Sequence, residues 1–315
     1  MRGAAGPAGP GVRRPPEGAY GVTDQWVCRR DTIGDAMQTN PTHTSLVALG
    51  DSFTEGMSDL LPDGSYRGWA DVLAGRMAAR TPGFRYANLA VRGKLIGQIV
   101  NEQVGRAVAM RPDVITLVGG LNDTLRPKCD MGRVRGLLTE AVERLAPSCE
   151  QLILMRSPGR QGPVLERFRP RMEELFACID ELAEQHGALV VDLYGAPSLS
   201  DPRMWDVDRL HLTAEGHRRV AEAVWQTLGY EAEDTEWRTP LPPSARPDWL
   251  ARRNEDIRFT RQHLLPWIGR RLTGRSSGDG RTGAHFSAEL DKPFWVTPAD
   301  HTNPGPVTDW RRMEP

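Results

Sequence analysis

Five short apolar runs punctuate the chain between residues 45 and 193, and longer segments separate them. Short apolar runs that end at Gly or at polar residues are typical of buried strands, and residues 165–186 have the apolar spacing of a helix. Strands that alternate with helices favour a parallel sheet. The sequence therefore predicts an α/β, three-layer flavodoxin-like fold, in which a central five-stranded parallel sheet is covered by helices on both faces. The predicted strands are Ser45–Gly50, Phe84–Ala90, Asp113–Gly119, Gln151–Arg156 and Ala188–Leu193.

The tripeptide Gly50-Asp51-Ser52 follows the first run and places a serine at the carboxyl end of a strand. Ligands of open α/β sheets bind at this edge, and the N-terminus of the next helix directs backbone N–H groups toward it. Taken alone, the tripeptide is more typical of an ordinary turn or helix N-cap. A nucleophilic Ser52 needs a base within hydrogen-bond reach and a third group that orients the base.

Asp208 and His211 fit those two roles, because they lie three residues apart in a loop that precedes an amphipathic helix. A carboxylate in such a loop can hold the imidazole while its other nitrogen faces the serine. Two alternatives stay open at this point. Asp206 competes with Asp208 as the orienting acid, and His217 is a second histidine, although its place within the predicted helix favours a packing role.

Acyl transfer also requires hydrogen-bond donors aimed at the developing oxyanion. Gly93 follows the second predicted strand, where a backbone N–H can approach a ligand without a Cβ in the way. Asn122 follows the third strand and offers a side-chain NH2. Each position also suits a simple turn, since Gly and Asn both tolerate left-handed backbone. We expect Gly93 and Asn122 to join the Ser52 backbone N–H in an oxyanion hole.

Over residues 45–228 the four motifs, taken together and in this order, resemble the SGNH hydrolase superfamily of GDSL-like lipases and acylhydrolases. The chain departs from the family pattern at Phe53, where the eponymous motif has Leu, and at Arg92, where a small residue is frequent. An Arg-rich sequence with a C-terminal extension further suggests an actinobacterial member. The resemblance implies that the catalytic residues are Ser52, Asp208 and His211, and that the oxyanion donors are Ser52, Gly93 and Asn122, with Gly120 opening the third block.

The resemblance implies a serine esterase or acylhydrolase that cleaves carboxylic esters of small molecules through an acyl-enzyme on Ser52. A thioesterase or lysophospholipase with the same site is the nearest alternative, and a non-catalytic ligand-binding module on the same fold is a more distant one. The loops 57–68 and 156–163 are expected to set the substrate. Arg92, Arg126 and Arg156 could recognise an anionic substrate, although solvated surface arginines are commoner.

Composition divides the chain into four parts. We predict a flexible extension at 1–43, a catalytic domain at 44–230, a linker with a helical segment that packs on the core at 231–274, and an irregular or disordered tail at 275–315. Translation could start at Met1 or at Met37, which directly precedes the catalytic domain.

The formal net charge of −1 argues against a nucleic-acid partner, since such proteins usually carry a basic excess. The four cysteines lack the close pairs of a zinc site and are expected to be reduced thiols. The cysteine spacing therefore predicts no metal. Since no nucleotide-binding glycine motif follows a strand, no cofactor is expected either. We find no secretion signal and expect a cytoplasmic protein without stable membrane insertion; its oligomeric state stays open.

Overall fold

A computed structural model describes residues 41–62, 66–159, 166–243 and 249–266 of the chain. All of them belong to one compact unit, residues 40–315. Each of the five predicted strands is present, three of them one or two residues shorter at each end than predicted. The strands are β1 Ser45–Leu49, β2 Arg85–Asn88, β3 Val114–Leu117, β4 Gln151–Arg156 and β5 Leu189–Asp192.

Helices occupy most of the segments between and after the strands. Asp130 accepts a hydrogen bond from the N–H of Arg133 and so begins the longest helix before β4, while Gly187 ends the helix before β5 with a φ of 66°. π-type turns at Val100–Val104 and Thr260–Leu264 continue two of the helices. The helices are α1 Ser52–Glu55, α2 Trp69–Arg80, α3 Ile96–Ile99, α4 Gly105–Met110, α5 Leu121–Thr124, α6 Met131–Leu145, α7 Arg169–His186, α8 Ala214–Thr227 and α9 Trp249–Phe259.

All strand pairs of the sheet are parallel, and the strand order is β2-β1-β3-β4-β5. From β1 the chain first adds β2 on one side and then adds β3, β4 and β5 on the other. The loops that leave β1 and β3 therefore diverge and open a crevice at the carboxyl ends of these strands. This order confirms the predicted flavodoxin-like fold. Ser52 lies directly after β1 and Asn122 shortly after β3, so both candidates stand at the crevice.

Helices cover both faces of the sheet, which explains why every residue of β1 is fully buried. One apolar cluster contains side chains of α2 and α8, including Trp69 and Trp225. The other contains side chains of α3, α4, α6 and α7, including Ile99 and Leu138. Neither Trp69 nor Trp225 has any measurable exposure, so the layer built on α2 and α8 is a true core.

Beyond α8, the chain runs through residues 228–243 to the separate helix α9. On α9, Ile257 is exposed and Phe259 is half-buried, and Leu265, directly after the π-type turn, is exposed. The predicted extension at 1–43, except for its last three residues, and the predicted tail at 275–315 lie outside the described residues. So do Met37, Cys28, and parts of the loops 57–68 and 156–163.

Candidate active site

Ser52 is the first residue of α1, and the turn before it is held by two side chains. The carboxylate of Asp51 accepts a hydrogen bond from the N–H of Phe53 at 3.1 Å and so caps the helix. The side-chain amide of Gln103 bonds both backbone groups of Gly50, with its Oε1 2.9 Å from the N–H and its Nε2 2.9 Å from the carbonyl. A Cβ at Gly50 would lie 2.7 Å from the carbonyl oxygen of Val118, which explains the glycine.

Asp208 lies in the tip, residues 207–210, of a short antiparallel hairpin, and His211 directly follows the tip. Trp205 pairs with Leu212, the N–H of Thr213 donates to the Met204 carbonyl at 2.8 Å, and the N–H of Asp206 donates to the His211 carbonyl at 2.9 Å. Within the tip, one carboxylate oxygen of Asp208 accepts the N–H groups of Leu210 and His211 at 2.9 and 3.0 Å. The hairpin turns both catalytic candidates back toward the sheet edge.

The His211 ring joins Ser52 to Asp208. Its Nε2 lies 2.9 Å from the Ser52 hydroxyl, and its Nδ1 lies 2.6 Å from Asp208 Oδ2. Burial alone would raise the pKa of the Asp208 carboxyl, but hydrogen bonds from the His211 ring and from two backbone N–H groups bring that pKa below its ordinary value. Asp208 is therefore held as a carboxylate, the form that orients an imidazole and stabilises its protonated state.

The two competing candidates occupy other positions. Asp206 contacts His211 through its backbone N–H, whereas the side-chain bond to the ring comes from Asp208. His217 lies in α8, and its Nδ1 accepts the N–H of Trp69 at 3.3 Å while its Nε2 donates to the carbonyl of Met57 at 3.2 Å. Burial lowers the pKa of His217 from 6.5 to about 4, so its ring is neutral at pH 7.

Gly93 lies in a loop that is bound to α1 by the ion pair between Arg92 and Glu55. Glu55 accepts the backbone N–H of Arg92 at 2.6 Å, and its carboxylate also binds the Arg92 guanidinium at distances down to 2.5 Å. The guanidinium carbon is 4.8 Å from the centre of the Tyr66 ring. Gly93 follows with a φ of 74°, a left-handed conformation that favours glycine.

Asn122 reaches the same place from the other side of the crevice. Its Nδ2 donates to Asp51 Oδ2 at 2.7 Å and to the carbonyl oxygen of Lys94 at 3.2 Å. Because Asp51 precedes the serine and Lys94 follows Gly93, the amide touches both neighbouring motifs. The structure thus brings Ser52, Gly93 and Asn122 to one edge of the sheet.

Several supporting residues escaped the sequence analysis. Gln103 is only 2% exposed, and a buried polar side chain needs a partner, but its polar neighbours Asn101 and Glu102 leave no pattern that singles it out in the sequence. Glu55 carries no sequence signal of its own, because its partner Arg92 lies 37 residues away. Asp51 belongs to a tripeptide typical of a turn or helix N-cap, and its bond to Asn122 depends on the fold.

The three arginines considered for anion recognition differ in their partners. Arg92 is neutralised by Glu55, and Arg156 forms two hydrogen bonds with Asp180, the shorter at 2.5 Å. The buried Nε of Arg126 has no hydrogen-bond partner. Arg92 and Arg156 are thus already engaged within the fold.

Within the described ranges, no group of three His, Cys, Asp or Glu side chains could bind a metal ion. Cys129, Cys149 and Cys178 form no disulfide there. Across the same ranges, the helices are all too short or too polar to span a membrane.

Comparison with known proteins concerns the family and the fold. The sequence profile of the GDSL-like lipase/acylhydrolase family matches residues 48–219, more than half of the chain. No curated protein sequence matches it. Among solved structures, LAE5, an α/β hydrolase enzyme from the metagenome of Lake Arreo, Spain, is 25% identical with a TM-score of 0.50, covering 59% of this chain and 95% of that one. A catalytic mutant of Axe2, an acetylxylan esterase from Geobacillus stearothermophilus, is 21% identical with a TM-score of 0.52, covering 60% and 95%; at that identity the likeness concerns the fold alone.

Proposed function

The chain belongs to the GDSL-like lipase/acylhydrolase family and is a serine hydrolase that acts on esters, and we propose that it hydrolyses carboxylic esters through an acyl-enzyme on Ser52. One observation carries this proposal: a single imidazole, that of His211, is within hydrogen-bond distance of both the Ser52 hydroxyl and the Asp208 carboxylate. A serine is a weak nucleophile until an adjacent base accepts its proton. The two distances support that role for His211.

In the proposed reaction, His211 Nε2 accepts the Ser52 proton as the hydroxyl oxygen attacks the ester carbonyl. Asp208 stabilises the imidazolium, which then donates its proton to the leaving alcohol as the carbon–oxygen bond breaks. Water attacks the resulting acyl-enzyme with the same proton transfers. This second attack releases the acid and regenerates Ser52.

The negative oxygen of each tetrahedral intermediate is stabilised by the backbone N–H groups of Ser52 and Gly93 and by the Asn122 amide. The amide now makes a 2.7 Å bond to the Asp51 carboxylate and a 3.2 Å bond to the Lys94 carbonyl. The shorter bond is charge-assisted and therefore the stronger of the two. We infer that the Asn122 N–H bonded to Asp51 stays in place and orients the amide. The other Asn122 N–H, which now bonds the Lys94 carbonyl, turns to the oxyanion.

Hydrolysis of p-nitrophenyl esters from acetate to decanoate tests the proposal. Ser52→Ala should abolish turnover and labelling by a fluorophosphonate probe, because the nucleophile is gone. Ser148→Ala is the matched control, since Ser148 bonds the Leu145 carbonyl just before β4, at the opposite edge of the sheet. It should behave as wild type.

A parallel series of acyl thioesters distinguishes the thioesterase alternative, and lysophospholipids distinguish the lysophospholipase alternative. The natural substrate class is the one with the highest kcat/KM. A folded wild-type protein that hydrolyses nothing and takes up no probe would contradict the proposed function. That result would favour a binding module on the same fold.

A further inference from the structure

The tip of the catalytic hairpin, residues 207–210, has little apolar anchorage of its own. Val207 is 73% exposed and Leu210 is 37% exposed, so neither apolar side chain fixes the tip by burial. Between Asp208 and Leu210, Arg209 adopts a φ of 55°. That left-handed conformation is uncommon for a residue with a side chain and persists only where surrounding contacts hold it.

Arg209 carries the contacts that leave this tip toward the C-terminal helix. Its guanidinium lies 2.6 Å from Asp256 Oδ1, and its carbon Cζ lies 4.5 Å from the centre of the Phe259 ring. Both partners belong to α9, which starts 30 residues beyond the end of the family match at residue 219. The helix α9, outside the region that the family profile matches, thus contacts Arg209, which lies between Asp208 and His211.

The contact is local and modest. Asp256 is 60% exposed, and Ile257 on the same helix is also exposed. An exposed ion pair together with a cation–π contact corresponds to roughly a threefold to tenfold change in an equilibrium constant. A contact of this size can shift the population of a hairpin tip, although it is too weak to decide whether the domain folds.

We propose that Arg209 is a positioning residue through which α9 holds the hairpin tip in the geometry where His211 meets both Asp208 and Ser52. The helix then acts on catalysis at a distance, through Arg209 and without touching substrate. This inference rests on the proposed function, because positioning is measured against the reaction of Ser52.

A double-mutant cycle tests the positioning role. The Asp256→Asn/Phe259→Leu double variant should lower kcat by about threefold to tenfold with KM unchanged, and each single substitution should lower it by less, because the tip samples the productive geometry less often. Fluorophosphonate labelling of Ser52 should slow by the same factor. In an Arg209→Gln background the same helix substitutions should have no further effect. Arg253→Gln, at an exposed position of the same helix, is the matched control and should leave kcat unchanged.

A readout without turnover separates this inference from the proposed function. The ring N–H between His211 and Asp208 is observable by proton NMR in the unliganded protein, and its signal should broaden in Asp256→Asn while the urea midpoint stays within experimental error of wild type. If the wild type is inactive but the signal responds, the proposed function fails, whereas the positioning role of Arg209 and α9 is supported. Unchanged labelling, kcat and ring signal in the Asp256→Asn/Phe259→Leu double variant would overturn the inference, as would an equal loss in the Arg209→Gln background.

Discussion

The buried ring of His217 predicts that the folded protein loses stability as the pH falls from 7 to 5. The side chain is 1% exposed, and its two nitrogens bond the N–H of Trp69 and the carbonyl of Met57. Protonation would put a hydrogen on Nδ1, the atom that now accepts the Trp69 N–H, and leave a charge in an apolar layer. The fold therefore excludes the proton until the pH approaches the lowered pKa of about 4.

The size of the effect follows from proton linkage. The unfolded chain takes up a proton near pH 6.5 and the folded chain only near 4, so the unfolded state binds more protons in between and acidification favours unfolding. The full difference in pKa corresponds to about 3 kcal/mol, of which about 2 kcal/mol is lost between pH 7 and pH 5. The remainder is lost as the pH approaches 4.

Urea unfolding followed by tryptophan fluorescence at pH 7, 6 and 5 measures this loss. Wild type should lose about 2 kcal/mol of unfolding free energy across the range, whereas His217→Gln, although less stable at pH 7, should lose little. The control is His43→Gln: His43 is half-buried, and burial also lowers its pKa, but most of the slope should survive its removal. A wild type equally stable at pH 7 and pH 5, or a His217→Gln protein with the full slope, would refute the reasoning.

Three further substitutions probe the supports of the site. Asn122→Ala should lower kcat by about 10²- to 10³-fold without altering the circular dichroism spectrum, because one oxyanion donor is lost; unchanged turnover would remove the amide from the mechanism. Gln103→Leu leaves the buried N–H of Gly50 without its partner, while the Gly50 carbonyl keeps the Val91 N–H at 3.2 Å, and should cost about 1–3 kcal/mol, measured by urea unfolding. Glu55→Gln leaves the half-buried guanidinium of Arg92 without its counter-charge and should cost about 1–3 kcal/mol; Glu55→Gln/Arg92→Met should recover most of that loss, and a double variant as unstable as the single one would contradict it.

The fold was predictable because its signal is local. A parallel strand buried on both faces must be almost wholly apolar, and the five runs needed no long-range information to be found. The ends of the strands were less well predicted, since Phe84 before β2 and Gly119 after β3 continue the apolar pattern beyond the paired residues. The predicted family was confirmed by the match over residues 48–219.

The geometry of the candidate site was only partly predictable. Side-chain chemistry marked Ser52 and His211, because only a few residue types can serve as nucleophile and base. The hairpin that carries His211 was expected only as a loop, since a single backbone bridge between Trp205 and Leu212 leaves no alternating strand pattern in the sequence. The pairing of Gln103 with Gly50, across 53 residues, is a property of the folded chain alone.

Carboxylates join the loops after β1, β2 and β3 pairwise. Asp51, in the first loop, accepts the Asn122 amide of the third at 2.7 Å, and Glu55 at the end of α1 binds the backbone N–H of Arg92 in the second. Asp123, in the third loop, accepts the N–H that begins α3, at the end of the second, at 3.0 Å. Each loop therefore contacts both others through a charged acceptor.

This closed arrangement explains why the site needs acids that take no part in the chemistry. Oxyanion stabilisation is effective when its donors are oriented before the reaction, so that no reorganisation is required as charge develops. In the proposed mechanism Gly93 supplies a donor from the second loop and Asn122 one from the third, and neither loop is a strand or long helix with rigidity of its own. Bonds from Asp51, Glu55 and Asp123 fix the three loops to one another and supply that rigidity. The hairpin tip that contains Asp208 is not joined to these loops by the three acids, and we propose that Arg209 and α9 hold it instead.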